Sequence, residues 1–231
     1  MSAKAWIRGE KNARFKMAAS HAGSLMTVNE DIAPHLFEGE LELLSREMQR
    51  AGSYLEFGMG GSTLLAAQSG VGRIVSIDSD AAWVGKITGQ FARNHAETDA
   101  ELIHCDIGLV GDWGAPLDRE AIENWPHYFR QPWQRILARG QTPDLIYIDG
   151  RFRVACALYS LLMLHLHRRS FWKKTTRIIV HDFPDRPYYG KIAEFASVVA
   201  SVNTLRVFEQ KPGCSPAELV QTLLTFQFDF R

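Results

Sequence analysis

Five short runs rich in β-branched and apolar residues, set apart by helix-length segments, constrain this 231-residue chain more than anything else in it. They are Ser53–Phe57 (SYLEF), Arg73–Ile77 (RIVSI), Glu101–Cys105 (ELIHC), Asp144–Ile148 (DLIYI) and Arg177–Val180 (RIIV). Runs this short and nearly continuous in apolar residues suit parallel strands covered on both faces. Helix-length connections between such strands imply right-handed βαβ units and a doubly wound sheet. Apolar residues at helical spacing over 29–51 (Ile32, Leu36, Leu41, Leu44, Met48) predict a helix ending at Ala51-Gly52. Further helices are predicted after Ser62 or Thr63 to about Ser69, after Ser79 or Asp80 to about Arg93, and from about Phe152 to His167. A helix at 189–200, a strand near 205–209 and a final strand near 221–229 complete the set. Phe226, Phe228 and Phe230 alternate as on a strand exposed on one face.

No linker divides the chain. Residues 1–28 read as an N-terminal arm, 29–231 as one domain, and 107–143 as a lid-like insertion, because long connections tend to carry function. The insertion holds Trp113, Trp125, Trp133 and Tyr128, which either stack on a planar or sugar acceptor or pack an extra helix, Trp125 to Ala138, on the sheet.

Charge is balanced, with 26 Lys plus Arg against 26 Asp plus Glu, so no global field recruits nucleic acid or an anionic membrane. The local cluster His165, His167, Arg168, Arg169, Lys173, Lys174 and Arg177 reads as a solvated helix end. Cys105, Cys156 and Cys214 have no metal-ligand spacing, and the basic N-terminus has no apolar core, so a cytoplasmic protein is expected. The longest apolar run, Val154 to Leu166, is too short to span a bilayer.

Ligands of open α/β sheets bind at the carboxyl ends of the strands near the switch point. There the first strand runs into Gly58-Met59-Gly60-Gly61, with Ser62 and Thr63 following. Glycines let the backbone approach a ligand. Asp78, 20 residues beyond Gly58, stands where a carboxylate can accept both ribose hydroxyls; its plainer role is a helix cap. Glu56 lies inside a buried strand, which is costly unless it is paired with a ligand ammonium or with a Lys or Arg.

The ordered set LEFGMGGST, IVSIDSD, IHCDIG, DLIYIDG and IIVHDF resembles the class I S-adenosylmethionine-dependent methyltransferases over about residues 53–195. It is nearest to small-molecule O-methyltransferase-like branches whose fourth strand ends in IDG. The resemblance implies a Rossmann-like α/β fold of about seven strands, mostly parallel, with the last antiparallel and helices on both faces. It implies that Glu56, Gly58, Gly60, Gly61, Ser62 and Thr63 surround the methionine moiety. Asp78, with Ser79 beside it, would hold the ribose, and Asp106 with Ile107 would border the adenine. Asp149 and Asp182, ending the fourth and fifth strands, would face the sulfonium. His181 is a base candidate, with a structural role as the alternative.

Two carboxylates at adjacent strand ends suit Mg²⁺ as in catechol-type relatives, but Phe152 and Phe183 stand where those relatives and the IDGxH type carry a ligand or base. A divalent metal is the lesser expectation. Arg151, Arg153 and Arg186 flank the mouth and suit an anionic group on the acceptor. The expected activity is methyl transfer to an oxygen or nitrogen of a small molecule, anionic or glycosylated. The alternatives are a Rossmann nucleotide-cofactor oxidoreductase and a non-catalytic binding module. A homodimer is left open.

Overall fold

The computed structural model describes residues 32–167 and 175–231. The proposed arm at 1–28 and part of the basic cluster lie outside them. The central sheet has seven strands in the order β3-β2-β1-β4-β5-β7-β6. β1 (Ser53–Phe57), β2 (Arg73–Asp78), β3 (Asp99–His104), β4 (Leu145–Ile148) and β5 (Arg177–Val180) run parallel. β7 (Leu205–Gln210) is antiparallel to β5 and pairs with β6 (Ala196–Val202) at the edge. The strand order reverses between β1 and β4, so the loops after these two strands open the switch-point crevice.

Alternation along β1 separates two apolar layers. Leu55 and Phe57 face the side covered by α4 (His127–Ala138), α5 (Arg153–Leu166), α6 (Ile192–Phe195) and α7 (Pro216–Phe226). Tyr54 faces the side covered by α1 (Glu40–Gln49), α2 (Gly61–Gln68) and α3 (Ala81–Asn94). No helix among the described residues is long and apolar enough to cross a membrane.

Three expectations are corrected. The segment 221–229 is not a strand but lies largely in α7, whose start is written in Ser215-Pro216-Ala217-Glu218. Ser215 accepts the Glu218 amide as a helix cap, and Pro216 occupies the first turn, where no intrahelical donor is needed. Leu219 and Leu223 bury one face, and the alternating phenylalanines belong to the helix end and the tail behind it. The antiparallel partner of β5 is instead β7. The helix expected over 189–200 ends at Phe195, because the β-branched residues Val198 and Val202 pair with Phe208 and Leu205 of β7 across a turn at Asn203-Thr204, with an irregularity at Val199. The helix expected over 29–51 spans only Glu40–Gln49, entered through Gly39 at φ 82°.

The lid-like segment resolves into two parts. Trp125 and Trp133 are buried, donating to Ile107 O at 3.1 Å and Ser160 Oγ at 3.0 Å, and they pack α4 on the sheet. Trp113 alone of the three is exposed, at φ 60°, edge-on to His35.

Candidate active site

The turn after β1 is built by backbone approach. Gly58, at φ 102°, lies so close to Gly150 that a Cβ on it would sit 2.4 Å from the Gly150 nitrogen. Both loops are tied to β1, with Asp149 N and Gly150 N each donating to Phe57 O at 2.8 Å. Gly61 opens α2 beneath the passing chain at Ile32, Ala33 and Pro34. Gly60 caps α2 in extended conformation, its N–H donating to Thr63 Oγ1 at 3.0 Å.

Glu56 is fully buried and finds neither Lys nor Arg among the described residues. Four hydroxyls donate to it instead: Tyr54 (3.0 Å), Ser76 (2.6 Å), Ser62 and Thr63. Ser76 stands opposite Glu56 in the β1–β2 register. Burial nevertheless pushes the carboxyl up to about 7, against the pull of these hydroxyls. A hydroxyl cage supplies hydrogen bonds but no counter-charge.

Asp78 ends β2. Its Oδ1 accepts the Ser79 and Asp80 amides at 2.7 and 3.0 Å, while its Oδ2 makes no hydrogen bond among the described residues. Burial raises it to about 6 despite those amides. The α3 cap is Asp80, not Ser79. The buried Ser79 hydroxyl donates to Gly114 O at 2.9 Å, so the insertion is moored beside Asp78. Asp106 is exposed and holds the Gly108 amide at 3.0 Å; Ile107 is buried.

Beyond β4 and β5 lies a charged knot. β5 ends at Val180, and Asp182 turns back at φ 55°, so His181 and Asp182 do not diverge as they would on a strand. His181 Nδ1 is 2.9 Å from Asp149 Oδ1; Nε2 is 3.4 Å from Glu40 Oε2 and 3.9 Å from Asp182 Oδ1, without a hydrogen bond. Burial opposes a charged imidazole, but Asp149 first and Glu40 next raise it to about 10. This imidazole is held as a cation at neutral pH. Glu40 and Asp149 are both held at about 2 against the cost of burial. For Glu40 the causes are His181, Thr204 and the Phe37 amide; for Asp149 they are His181, Arg153 and Tyr147.

Arg153 ties the knot. Its guanidinium reaches Asp149 Oδ1 at 3.0 Å and Asp182 Oδ2 at 3.2 Å, and donates to the carbonyls of Asp149, Gly150 and His181 at 2.8–3.0 Å. Sequence reasoning grouped Arg153 with the mouth; the structure buries it. Phe152, at φ 55°, turns the chain into α5 and fills an aromatic cluster with Trp125 and Tyr128. Phe183 packs on Phe208 and Tyr189.

The solved structure of a methyltransferase-like protein from Silicibacter pomeroyi matches 86% of this chain and 98% of its own, at 25% identity and a TM-score of 0.71. The chain has the class I methyltransferase fold. More distant likenesses include an O-methyltransferase from Bacillus cereus in complex with SAH (14% identity, 76% of this chain and 82% of that chain, TM-score 0.43). Another is the O-methyltransferase TomG of tomaymycin synthesis from Streptomyces achromogenes in complex with SAM (15%, 77% and 82%, 0.46). No protein-family model and no curated protein matches the chain.

On this methyltransferase fold the ligand atoms of Asp149, His181 and Asp182 lie within 4.8 Å of one another, as a metal site requires. The donor set does not fit an added ion. Arg153 already bridges both carboxylates, and the third donor is a protonated imidazole.

These shifts set a pH profile for stability. Glu56 and Asp78 have raised folded values, so their contribution is full below about pH 4 and is lost as pH rises through about 6–7. The raised value of His181 adds stability below about pH 6.5 that is lost as pH rises through about 10. Asp149 and Glu40 act oppositely: their contribution is lost as pH falls from about 4 to about 2. Unfolding free energies from urea titrations should therefore decline from about pH 4.5 to 7, by up to roughly 3 kcal/mol from Glu56 at ~1.4 kcal/mol per unit. Glu56→Gln should flatten that limb; an unchanged slope in the variant would refute the assignment.

Proposed function

We propose that the chain transfers a methyl group from S-adenosylmethionine to an oxygen or nitrogen of a small-molecule acceptor. The observation that carries this reading is the pairing of the glycine turn at the switch point with Asp78 at the next strand end, its Oδ2 left to a ligand. Asp78 would take the ribose hydroxyls, with Ser79 beside it, and Gly58, Gly60 and Gly61 would let backbone lie against the methionine portion. Ser62, Thr63 and Glu56 form the floor beneath that turn, so Glu56 acts through the hydroxyl cage rather than by contact. Asp106 and Ile107 would border the adenine.

When bound, the cofactor supplies an electrophilic methyl on a sulfonium, and the protein's part is mainly alignment. Asp149 and Asp182 would border the reacting centre, fixed there by Arg153 and His181. A histidine held protonated to about pH 10 positions these carboxylates and is a poor general base at neutral pH. We infer a metal-independent enzyme, because the place of a divalent ion is taken by a guanidinium.

Calorimetry with S-adenosylhomocysteine tests the reading. Asp78→Ala should weaken binding by roughly 10–100-fold, since hydrogen bonds to a charged group are worth ~1.5–3 kcal/mol. EDTA should change nothing. Absent binding by folded protein, or tight binding of NADH instead, would reject the methyltransferase reading.

A further inference from the structure

Arg151 differs from the cations around it. Arg153 is paired with Asp149 and Asp182, His181 with Asp149 and Glu40, and Arg186 loosely with Asp182 at 3.8 Å. Among the described residues no carboxylate oxygen lies within 4.0 Å of Arg151, although its side chain is half-buried and its Nε is buried without a hydrogen-bond partner. The neighbouring Tyr189 hydroxyl is likewise buried and unpartnered, with the Arg186 guanidinium 5.6 Å from its ring centroid.

A buried guanidinium nitrogen without a partner is costly, and Arg153 and Arg186 add like-charge repulsion. Burial first, and then those two cations, lower the proton affinity of Arg151. The residue also interacts electrostatically with Asp78 and with Tyr189. Arg151 Nε and the Tyr189 hydroxyl are thus both buried without a hydrogen-bond partner, and the Arg186 guanidinium stands against the Tyr189 ring. A guanidinium fork with a second arginine and a phenol matches a planar or tetrahedral oxyanion, and a neutral sugar would leave the charge uncompensated.

We propose that Arg151, Arg186 and the Tyr189 hydroxyl form a subsite for a carboxylate or phosphate group carried by the methyl acceptor. This deepens the methyltransferase reading and rests on it for the identity of the ligand as acceptor. The cofactor also carries a carboxylate, so the test separates the two sources.

Sulfate and benzoate are titrated into the full chain, alone and saturated with S-adenosylhomocysteine, following arginine Nε–H resonances by NMR and heat by calorimetry. Saturable binding in the cofactor-loaded protein is expected, weakened at least about tenfold in Arg151→Met and less in Arg186→Met. S-adenosylhomocysteine should still bind both variants, its affinity falling by well under about tenfold, the loss in Arg151→Met reflecting only its field at Asp78. The Arg151→Met melting temperature should stay level or rise, since an unpaired cation is removed. Loss of S-adenosylhomocysteine binding in Arg151→Met, with no anion binding to loaded parent, would assign the arginines to the cofactor carboxylate and overturn the proposal. Anion binding indifferent to both substitutions, or no binding to either form, would also overturn it. Failure of S-adenosylhomocysteine to bind the parent sinks the methyltransferase reading separately, and the unloaded titration still decides whether the anion subsite exists.

Discussion

Arg153→Met should destabilise the protein by about 3–5 kcal/mol and open the place of its guanidinium to a divalent metal. The guanidinium is buried and makes contacts to two carboxylates and three strand-end carbonyls, so methionine fills the volume and removes their shared donor, leaving Asp149 with His181 and Tyr147 alone. Removing the buried partner of a charge network costs more than the network contributes net, because the carbonyls lose their donor and the two half-buried carboxylates are left to repel each other. Asp149 and Asp182 would then face each other with only His181 between them.

Those two carboxylates and the imidazole already have ligand atoms within 4.8 Å of one another. Without the guanidinium, Mn²⁺ is the natural replacement, and its binding should displace the imidazole proton. Urea unfolding with and without Mn²⁺ measures both halves: a large loss of stability, partly restored by the metal in Arg153→Met and unaffected by it in the parent. Should the variant not fold alone, Arg153→Met with Asp182→Asn lowers the unpaired charge and keeps the stability comparison. A loss below about 1 kcal/mol with no metal response would mean that the knot is held by the backbone and that the arginine is incidental.

Much of the fold was readable because parallel strands buried on both faces have few alternatives. RIVSI and RIIV admit no amphipathic helix of useful length, and all five sequence strands lie in the sheet within two residues of expectation. The edge was harder. Phe226, Phe228 and Phe230 mimic a strand, and only the local start signal at Ser215-Pro216-Ala217-Glu218 favours the helix.

The site divides similarly. A glycine turn and an acid on the next strand leave a local trace. The compensation of Glu56 left a weaker one: a serine inside β2 and two hydroxyls opening α2 were visible, but their convergence needs the register. Glu40 reaches His181 from 141 residues away in sequence, and nothing local announces it. In IDGRFR the sequence cannot say which arginine turns inward. The left-handed Phe152 decides that, sending Arg153 under the strand ends and leaving Arg151 half-buried.

The same turn should make Gly58→Ala among the most damaging substitutions in the chain, above about 4 kcal/mol. Two costs add. At φ 102° an alanine is strained wherever it sits, and its Cβ would lie 2.4 Å from the Gly150 nitrogen and 2.6 Å from the Gly150 Cα. Backbone is the obstacle, so no rotamer change relieves it. The reciprocal Gly150→Ala meets Gly58 Cα and N at 2.7 Å and the Tyr128 hydroxyl at 2.2 Å. Tyr128→Phe should therefore recover only part of its loss, because the hydroxyl leaves and the Gly58 backbone stays. Gly190→Ala, with nothing within 4 Å, is the control and should change stability by less than about 0.5 kcal/mol. Urea midpoints of the four variants give the order directly. If Gly58→Ala proves as mild as Gly190→Ala, then the β1 and β4 loops can separate without penalty. The switch-point turn would then not be the rigid cradle that a cofactor site requires.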